Sequence, residues 1–389
     1  WPQHKLRCKL TDRIDLGAFY PFLAGLADCC HLVYQLKPTH QACLRRITNS
    51  PNPYTSATVL SKDEAAKLVV LGDYVKPHEL MSPTWCPTAA SDMVRAKLFR
   101  RYVLSHLFHP NVSCALLILL SICVALLARL HPETTDKSGE PRYCLRYKSS
   151  VISDFGIAKG WADVKGQDRF VYFSPEEQRF EMGQDHKDHY WIYFRTVKGE
   201  ELTLDLCMFT VNMYMLVSSQ GYFPPDIAQR LSIYSPAFFC DRPISASTPS
   251  LRYEQGRASI LRNEELRRAL TSINTCNDRS NALIVKFMEK LSGGKTTEQD
   301  KRLAVSFTER HLPSFDWLVK GRRYRQFPAE PALCIEQDPG EVPKEKEQDE
   351  WYKHVQKFKK LKKQGKAPET DLAEAFRQWK AKRAEPLSV

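Results

Sequence analysis

One stretch of the chain constrains its fold more than any other, because it is apolar at nearly every position. It runs from Val112 to Ala128 with the sequence VSCALLILLSICVALLA, and Arg129 follows it directly. A helix needs about 20 apolar residues to cross a bilayer, so this stretch stands at the lower limit. A helix that is apolar on all sides is either buried in a large protein or embedded in lipid.

Three features favour burial in protein. Ser121 and Cys123 lower the hydrophobicity of the stretch, and no belt of Trp or Tyr brackets both of its ends. Basic residues stand on both sides, at Arg101 and Arg129, so the flanking charges indicate no orientation across a membrane. We therefore predict a buried core helix, with a single membrane span through Val112 to Ala128 as an alternative.

The composition is typical of a globular protein in a reducing compartment. Of 389 residues, 43% are hydrophobic, which is enough to build a sizeable core. The 12 cysteines have no regular spacing, which indicates free thiols and an intracellular location, cytoplasmic or nuclear. The formal charge of +12 indicates affinity for polyanions such as nucleic acid or an acidic membrane surface.

The clearest local pattern predicts a β-hairpin. The run from His189 to Val197 is rich in aromatic and β-branched residues, and a short turn containing Gly199 separates it from a second run. In that second run, leucines alternate with polar residues, which predicts a strand with one buried face. These leucines are Leu202, Leu204 and Leu206.

The same patterns, followed along the chain, predict an α+β fold. We expect one large domain over residues 1–335, with a helical part at 15–131, a strand-rich part at 142–217 that forms a central antiparallel sheet, and a helical part at 258–318. Residues 336–389 are predicted to form a linker and a basic, amphipathic helical tail.

Two short motifs resemble catalytic loops, but the sequence around them lacks the elements that those loops require. VISDFGIAK around Asp154 resembles the magnesium-binding turn of protein kinases, but the other kinase elements are missing upstream, so we predict a turn at Asp154 and Gly156 after a strand. SGGKT, which ends at Thr296, follows a helical pattern instead of the strand that a phosphate loop requires. We predict no cofactor and lean towards a protein that is not an enzyme.

Metal binding has weak candidates. Thiolates and imidazoles suit tetrahedral zinc, but the chain has no CxxC pair, and the cysteines near residue 30 lie in an apolar helical pattern. Core thiols and surface histidines are the favoured interpretation. The weak candidate ligands are Cys29, His40 and Cys43.

Two basic stretches could bind nucleic acid. The first runs from Lys320 to Phe327 and mixes cations with aromatic residues, as in proteins that bind single strands. The second, from Lys353 to Lys363, places lysines along one helix, which could follow phosphates or simply be solvated. The candidate contacts are Arg322, Arg323, Arg325, Lys353, Lys357 and Lys360.

Over Arg142 to Phe239 the chain resembles a family of uncharacterised fungal proteins, chiefly from mushroom-forming fungi. The segments LRYKSSVISDFGIAKG, MGQDHKDHYWIYFRTVKGEELTLDLCMFTVNMYML and SPAFFCDR carry the resemblance, and GAFYPFLAGLADC and AKLVVLGDYV extend it towards the start. Some members carry a MYND-type zinc finger, a module that binds partner proteins. The closely spaced cysteines of that finger are absent from these residues. The resemblance implies an intracellular protein of unknown activity, and it supplies no catalytic residues.

Together these observations predict an interaction or scaffold protein without catalysis, with protein partners. A nucleic-acid-associated protein that uses the basic segments is the alternative, and a membrane association is disfavoured.

Overall fold

The computed structural model describes residues 13–30, 41–49, 58–61, 64–79, 82–89, 95, 98–99, 113–130, 144–164, 169–211, 215–228, 231, 233–240, 252–270, 277–294, 296–335, 345–365, 375 and 378–379. The chain divides into two compact units. The first comprises Trp1–Ser50 and Ala57–Glu336, and the second comprises Pro51–Ser56 and Gln337–Val389. Helices and mixed sheets confirm the predicted α+β class.

The helices of the first unit are α1 (Leu16–Cys29), α2 (Gln41–Leu44), α3 (Cys114–Leu130), α4 (Pro225–Ala228), α5 (Glu264–Leu270), α6 (Asp278–Ser292) and α7 (Glu298–Lys320). In the second unit, α8 spans Glu345–Lys363. Helices α6 and α7 both begin with a capping box, in which Asn277 and Thr297 accept the backbone amides of the first turn.

The apolar stretch forms α3 and lies at the centre of the core. From Ala115 to Ala128 every side chain is at most 6% exposed, and the hydroxyl of Ser121 donates to the carbonyl of Ile118 at 2.8 Å. The helix packs on α7, where Arg129 pairs with Asp316 at 2.7 Å. Among the helices that the structure describes, none has the length and hydropathy that a membrane crossing requires.

A seven-stranded sheet covers the helical core. Its order is β1-β5-β6-β9-β10-β13, and β14 also pairs with β6. All neighbours are antiparallel except β1 and β5, which run parallel. The strands are β1 (Arg13–Asp15), β5 (Cys144–Tyr147), β6 (Ser150–Ala162), β9 (His189–Thr196), β10 (Glu201–Asp205), β13 (Phe238–Cys240) and β14 (Arg252–Ser259).

The predicted hairpin is confirmed as β9 and β10, with Gly199 in the turn at a φ of 82°. Leu202 and Leu204 are at most 1% exposed and belong to the same apolar cluster as α3. The alternation in the sequence therefore identified the face of the strand that meets the helices.

Two smaller sheets complete the first unit. One has the order β2-β4-β7-β8, with β3 also paired to β4, and the other has the order β12-β11-β15. Their strands are β2 (Arg45–Ile47), β3 (Thr58–Ser61), β4 (Glu64–Tyr74), β7 (Phe170–Ser174), β8 (Arg179–Met182), β11 (Met215–Ser218), β12 (Tyr234–Pro236) and β15 (Leu333–Ile335).

Two sequence predictions need correction. The part at 15–131 was predicted to be helical, but it also contains β2, β3 and β4, because the run around Val69 pairs with strands on both of its sides. Asp154 and Gly156 were predicted to form a turn, and instead they lie within β6. Gly156 is needed there because a Cβ would stand 2.1 Å from the carbonyl oxygen of Ala258 on β14.

Candidate functional site

A cleft opens in the first unit where α1 begins. Its wall is formed by β1, the end of β5, the start of β15 and the turn at Arg323–Gln326. Its volume is about 790 Å³, which is in the range of sites that bind small molecules or short peptide segments.

The floor of the cleft is aromatic and closely packed. Tyr20 stacks on Phe239 with ring centroids 4.6 Å apart, and Phe327 packs against Tyr222 at 4.5 Å. Each of these four rings is less than a tenth exposed. Because their faces already contact other protein groups, the floor is a preformed apolar surface rather than a set of open stacking platforms.

The rim of the cleft is mainly basic. Four cationic side chains line it, against the two carboxylates of Asp15 and Glu330. The ammonium of Lys148 lies 4.7 Å from the ring centroid of Tyr147. The cations are Arg13, Arg146, Lys148 and Arg325. In a partly enclosed cleft this excess of positive charge attracts anionic groups.

Strand pairing explains why these charges meet. Asp15 on β1 and Arg146 on β5 are register partners in the parallel pair, and their side chains form an ion pair at 2.7 Å. Asp15 is also the N-cap of α1, where its carboxylate accepts the amide of Gly17 at 3.0 Å. Asp15 is therefore held in place by two partners and fixes Arg146 at the rim.

The structure separates the three arginines that the sequence grouped as nucleic-acid contacts. Arg325 lines the cleft. The guanidinium of Arg323 instead lies over the ring of Trp317, 5.7 Å from its centroid, and Arg322 takes a left-handed backbone conformation with a φ of 47°. Only one residue of the predicted trio thus contributes to the site.

The predicted lysine contacts lie in the second unit. Lys353, Lys357 and Lys360 are all exposed on α8, while Val355 is 9% exposed. Their spacing places them on one side of the helix, where they form a short row of positive charge.

The weak metal candidates do not form a site in the described residues. Cys29 ends α1, Cys43 lies in α2, and His40 lies outside the described residues. Burial raises the pKa of the Cys29 thiol to about 12 and also raises the pKa of Cys43, which opposes the thiolate form that zinc requires. Within the described part of the chain, no three His, Cys, Asp or Glu side chains cluster as metal ligands would.

A buried polar network lies on the sheet. His189 Nε2 stands 2.7 Å from Asp205 Oδ2, and Arg252 donates to the same oxygen at 3.3 Å. Burial alone would raise the pKa of Asp205, but the charges of His189 and Arg252 and the hydrogen bonds from His189 and the Cys207 amide outweigh it and hold that pKa below its usual value. The side chains of His189 and Asp205 are fully buried, so this network ties β9, β10 and β14 together.

One Cys–His pair also lies in the core. Cys30 Sγ is 3.5 Å from His311 Nε2, and both residues are at most 3% exposed. Burial, with a smaller effect of the Arg310 charge, lowers the pKa of His311 to about 3. The imidazole is therefore neutral at pH 7, which disfavours the thiolate–imidazolium form of a reactive cysteine.

Sequence reasoning missed most of the cleft. No sequence pattern singled out Arg13, Arg146 or Lys148, and only the non-local pairing of β1 with β5 brings the first two together. The basic segment from Lys320 to Phe327 was the single signal that pointed to the site, through Arg325.

Membership of the mushroom-type fungal family, and with it the association with MYND-type fingers, stays a prediction. Comparison with known proteins found no matching family model, no matching curated protein and no matching solved structure.

Proposed function

We propose that the chain is a non-catalytic interaction protein and that the basic cleft holds an acidic segment of a protein partner. The observation that carries this proposal is the convergence of four cations over an apolar floor, with only two carboxylates among them. Apolar surface supplies affinity, and the surrounding charges select the partner and speed its approach.

The form of the cleft favours a polypeptide over a nucleic acid. Single-strand binders stack bases on open aromatic faces, whereas Tyr20 and Phe239 are already stacked on each other here. An acidic peptide can alternate charged and apolar side chains and so match both the rim and the floor.

Nucleic-acid binding remains the second candidate because of Arg325 and α8. Arg325 belongs to the basic segment from Lys320 to Phe327 and reaches the cleft. Lys353, Lys357 and Lys360 are exposed on α8 and could contact phosphates independently of the cleft.

One titration separates the two candidates. The full chain is titrated with an acetylated decapeptide of alternating Asp and Val, with the matched Lys and Val peptide, and with single-stranded RNA and double-stranded DNA. We expect that only the acidic peptide binds, with micromolar affinity. Arg325→Glu should weaken this binding about tenfold, because one attractive charge becomes repulsive. Lys290→Glu, at an exposed position on α6, is the matched control and should bind as the wild type does.

Tight, salt-sensitive binding of RNA or DNA would favour the second candidate instead. Simultaneous substitution of Lys353, Lys357 and Lys360 by Glu should then abolish most of that binding. Equal affinity for the acidic and basic peptides, or no effect of Arg325→Glu, would refute the proposed role of the cleft.

A further inference from the structure

The strand β15 forms an edge of its sheet beside the cleft. In the described structure it pairs with β11 alone, and β11 pairs on its other side with β12. Leu333, the first residue of β15, lines the cleft and is 55% exposed. An exposed edge strand with a large apolar side chain can template the pairing of another chain.

The hydrogen-bond register shows which backbone groups this edge presents. The amide of Ser218 donates to the carbonyl of Ala332 at 2.8 Å, so these opposite residues form a hydrogen-bonded pair. In an antiparallel ladder, hydrogen-bonded pairs alternate with pairs whose amides and carbonyls point away from each other. The next pair, Val217 with Leu333, is therefore of the second kind.

The amide and carbonyl of Leu333 thus point away from β11, towards the open edge. The same alternation applies to Ile335, which is opposite Met215. Two donors and two acceptors are presented along this edge, at the spacing of an extended strand.

We propose that the acidic partner segment binds as an added strand on β15. Its backbone forms hydrogen bonds with Leu333 and Ile335, its apolar side chains contact Leu333, and its carboxylates face Arg325 and the other cations of the rim. This inference rests on the proposed function, because it describes how the same cleft holds its partner. Strand addition also accounts for the exposed leucine next to the basic rim, because charge attraction alone would not require that leucine.

The charge of the cleft argues for this occupant rather than a second copy of the chain. The protein carries a formal charge of +12, and the rim has four cations against two carboxylates, so two such surfaces would repel each other. An acidic extended segment satisfies both the charges and the backbone groups of the edge.

A proline substitution tests the backbone contact directly. Leu333→Pro removes the outward amide, while the inward pair of Leu216 with Cys334 keeps its hydrogen bonds with β11. Leu333→Val keeps the amide and an apolar side chain, so it is the matched control. With the decapeptide of alternating Asp and Val, we expect Leu333→Pro to bind about fivefold more weakly than Leu333→Val, the loss of one backbone hydrogen bond.

A second measurement leaves the protein unchanged. The same decapeptide, methylated at its valine amides, loses the backbone donors of its valines and should bind at least about tenfold more weakly than the parent peptide. Hydrogen exchange in the complex should slow at the amides of Leu333 and Ile335.

The outcomes distinguish this inference from the function on which it rests. If Arg325→Glu weakens peptide binding but Leu333→Pro and the methylated peptide do not, the cleft binds an acidic peptide and strand addition is wrong. If none of the peptides binds, both proposals are overturned.

Discussion

His311 should make the stability of this fold fall steeply in mild acid. The residue lies on α7, is 2% exposed and contacts Cys30 in the core. Burial, with a smaller contribution from Arg310, lowers the pKa of its imidazole from 6.5 to about 3. The unfolded chain therefore binds a proton near pH 6.5, whereas the folded chain does not bind it until about pH 3.

The sign and the size of the effect follow from this difference. Below pH 6.5 unfolding takes up a proton, so the free energy of unfolding falls as the pH falls, by up to about 1.4 kcal/mol per pH unit. Between pH 7 and pH 4.5 the loss from this one residue is about 2.5 kcal/mol. Because domains are commonly stable by about 5–15 kcal/mol, that loss is large enough to measure.

Urea unfolding at pH 7 and pH 4.5 tests the prediction. Between these pH values the free energy of unfolding of the wild type should fall by about 2.5 kcal/mol more than that of His311→Gln, because glutamine keeps a polar side chain but cannot titrate. Carboxylates that also titrate in this range are shared by both proteins, so they cancel in the difference. His78→Gln, at an exposed histidine, should lose as much as the wild type. Equal losses in the wild type and His311→Gln would refute the reasoning.

Three further substitutions should lower the free energy of unfolding, each measured by urea denaturation. Arg45→Met removes a buried guanidinium that is bound to Glu176 at 2.7 Å, and should cost about 1–2 kcal/mol because its carboxylate partner is exposed. Asp205→Asn breaks the fully buried pair with His189 and should cost about 3–5 kcal/mol; a loss below about 1 kcal/mol would show that the pair is not coupled. Gly160→Ala places a Cβ 2.0 Å from a backbone carbonyl of β14 and should cost about 1–3 kcal/mol, and an unchanged stability would contradict the close approach of that strand.

Patterns that are local in the sequence predicted the fold well. The apolar stretch predicted a buried helix, since a helix without a polar face is stable only when it is covered on all sides, and this helix is α3. The alternation of Leu202 and Leu204 identified β10 and its buried face, since the side-chain period of a strand is two. In both cases the prediction depended only on the order of neighbouring residues in the sequence.

Strands whose partners are distant in the chain were missed. β4 contains a short apolar run around Val69, and such runs do not distinguish a buried strand from a helix. β1 has three residues, and it is a strand only because β5 pairs with it from far along the chain. No local pattern could therefore reveal that Arg13 and Arg146 lie in the same cleft.

A basic segment of the sequence indicates little about which of its side chains lie in a binding site. Arg323 and Arg325 are two residues apart in one cationic, aromatic stretch, yet Arg325 lines the cleft and Arg323 lies over Trp317. The direction of each side chain depends on the turn after α7 and on the groups that the side chain meets there. A cluster of arginines in the sequence thus indicates only that part of the surface is positively charged. Which arginine lines the cleft depends on the strands β1, β5 and β15 that surround it, and that is why Arg325→Glu and Leu333→Pro are the informative substitutions.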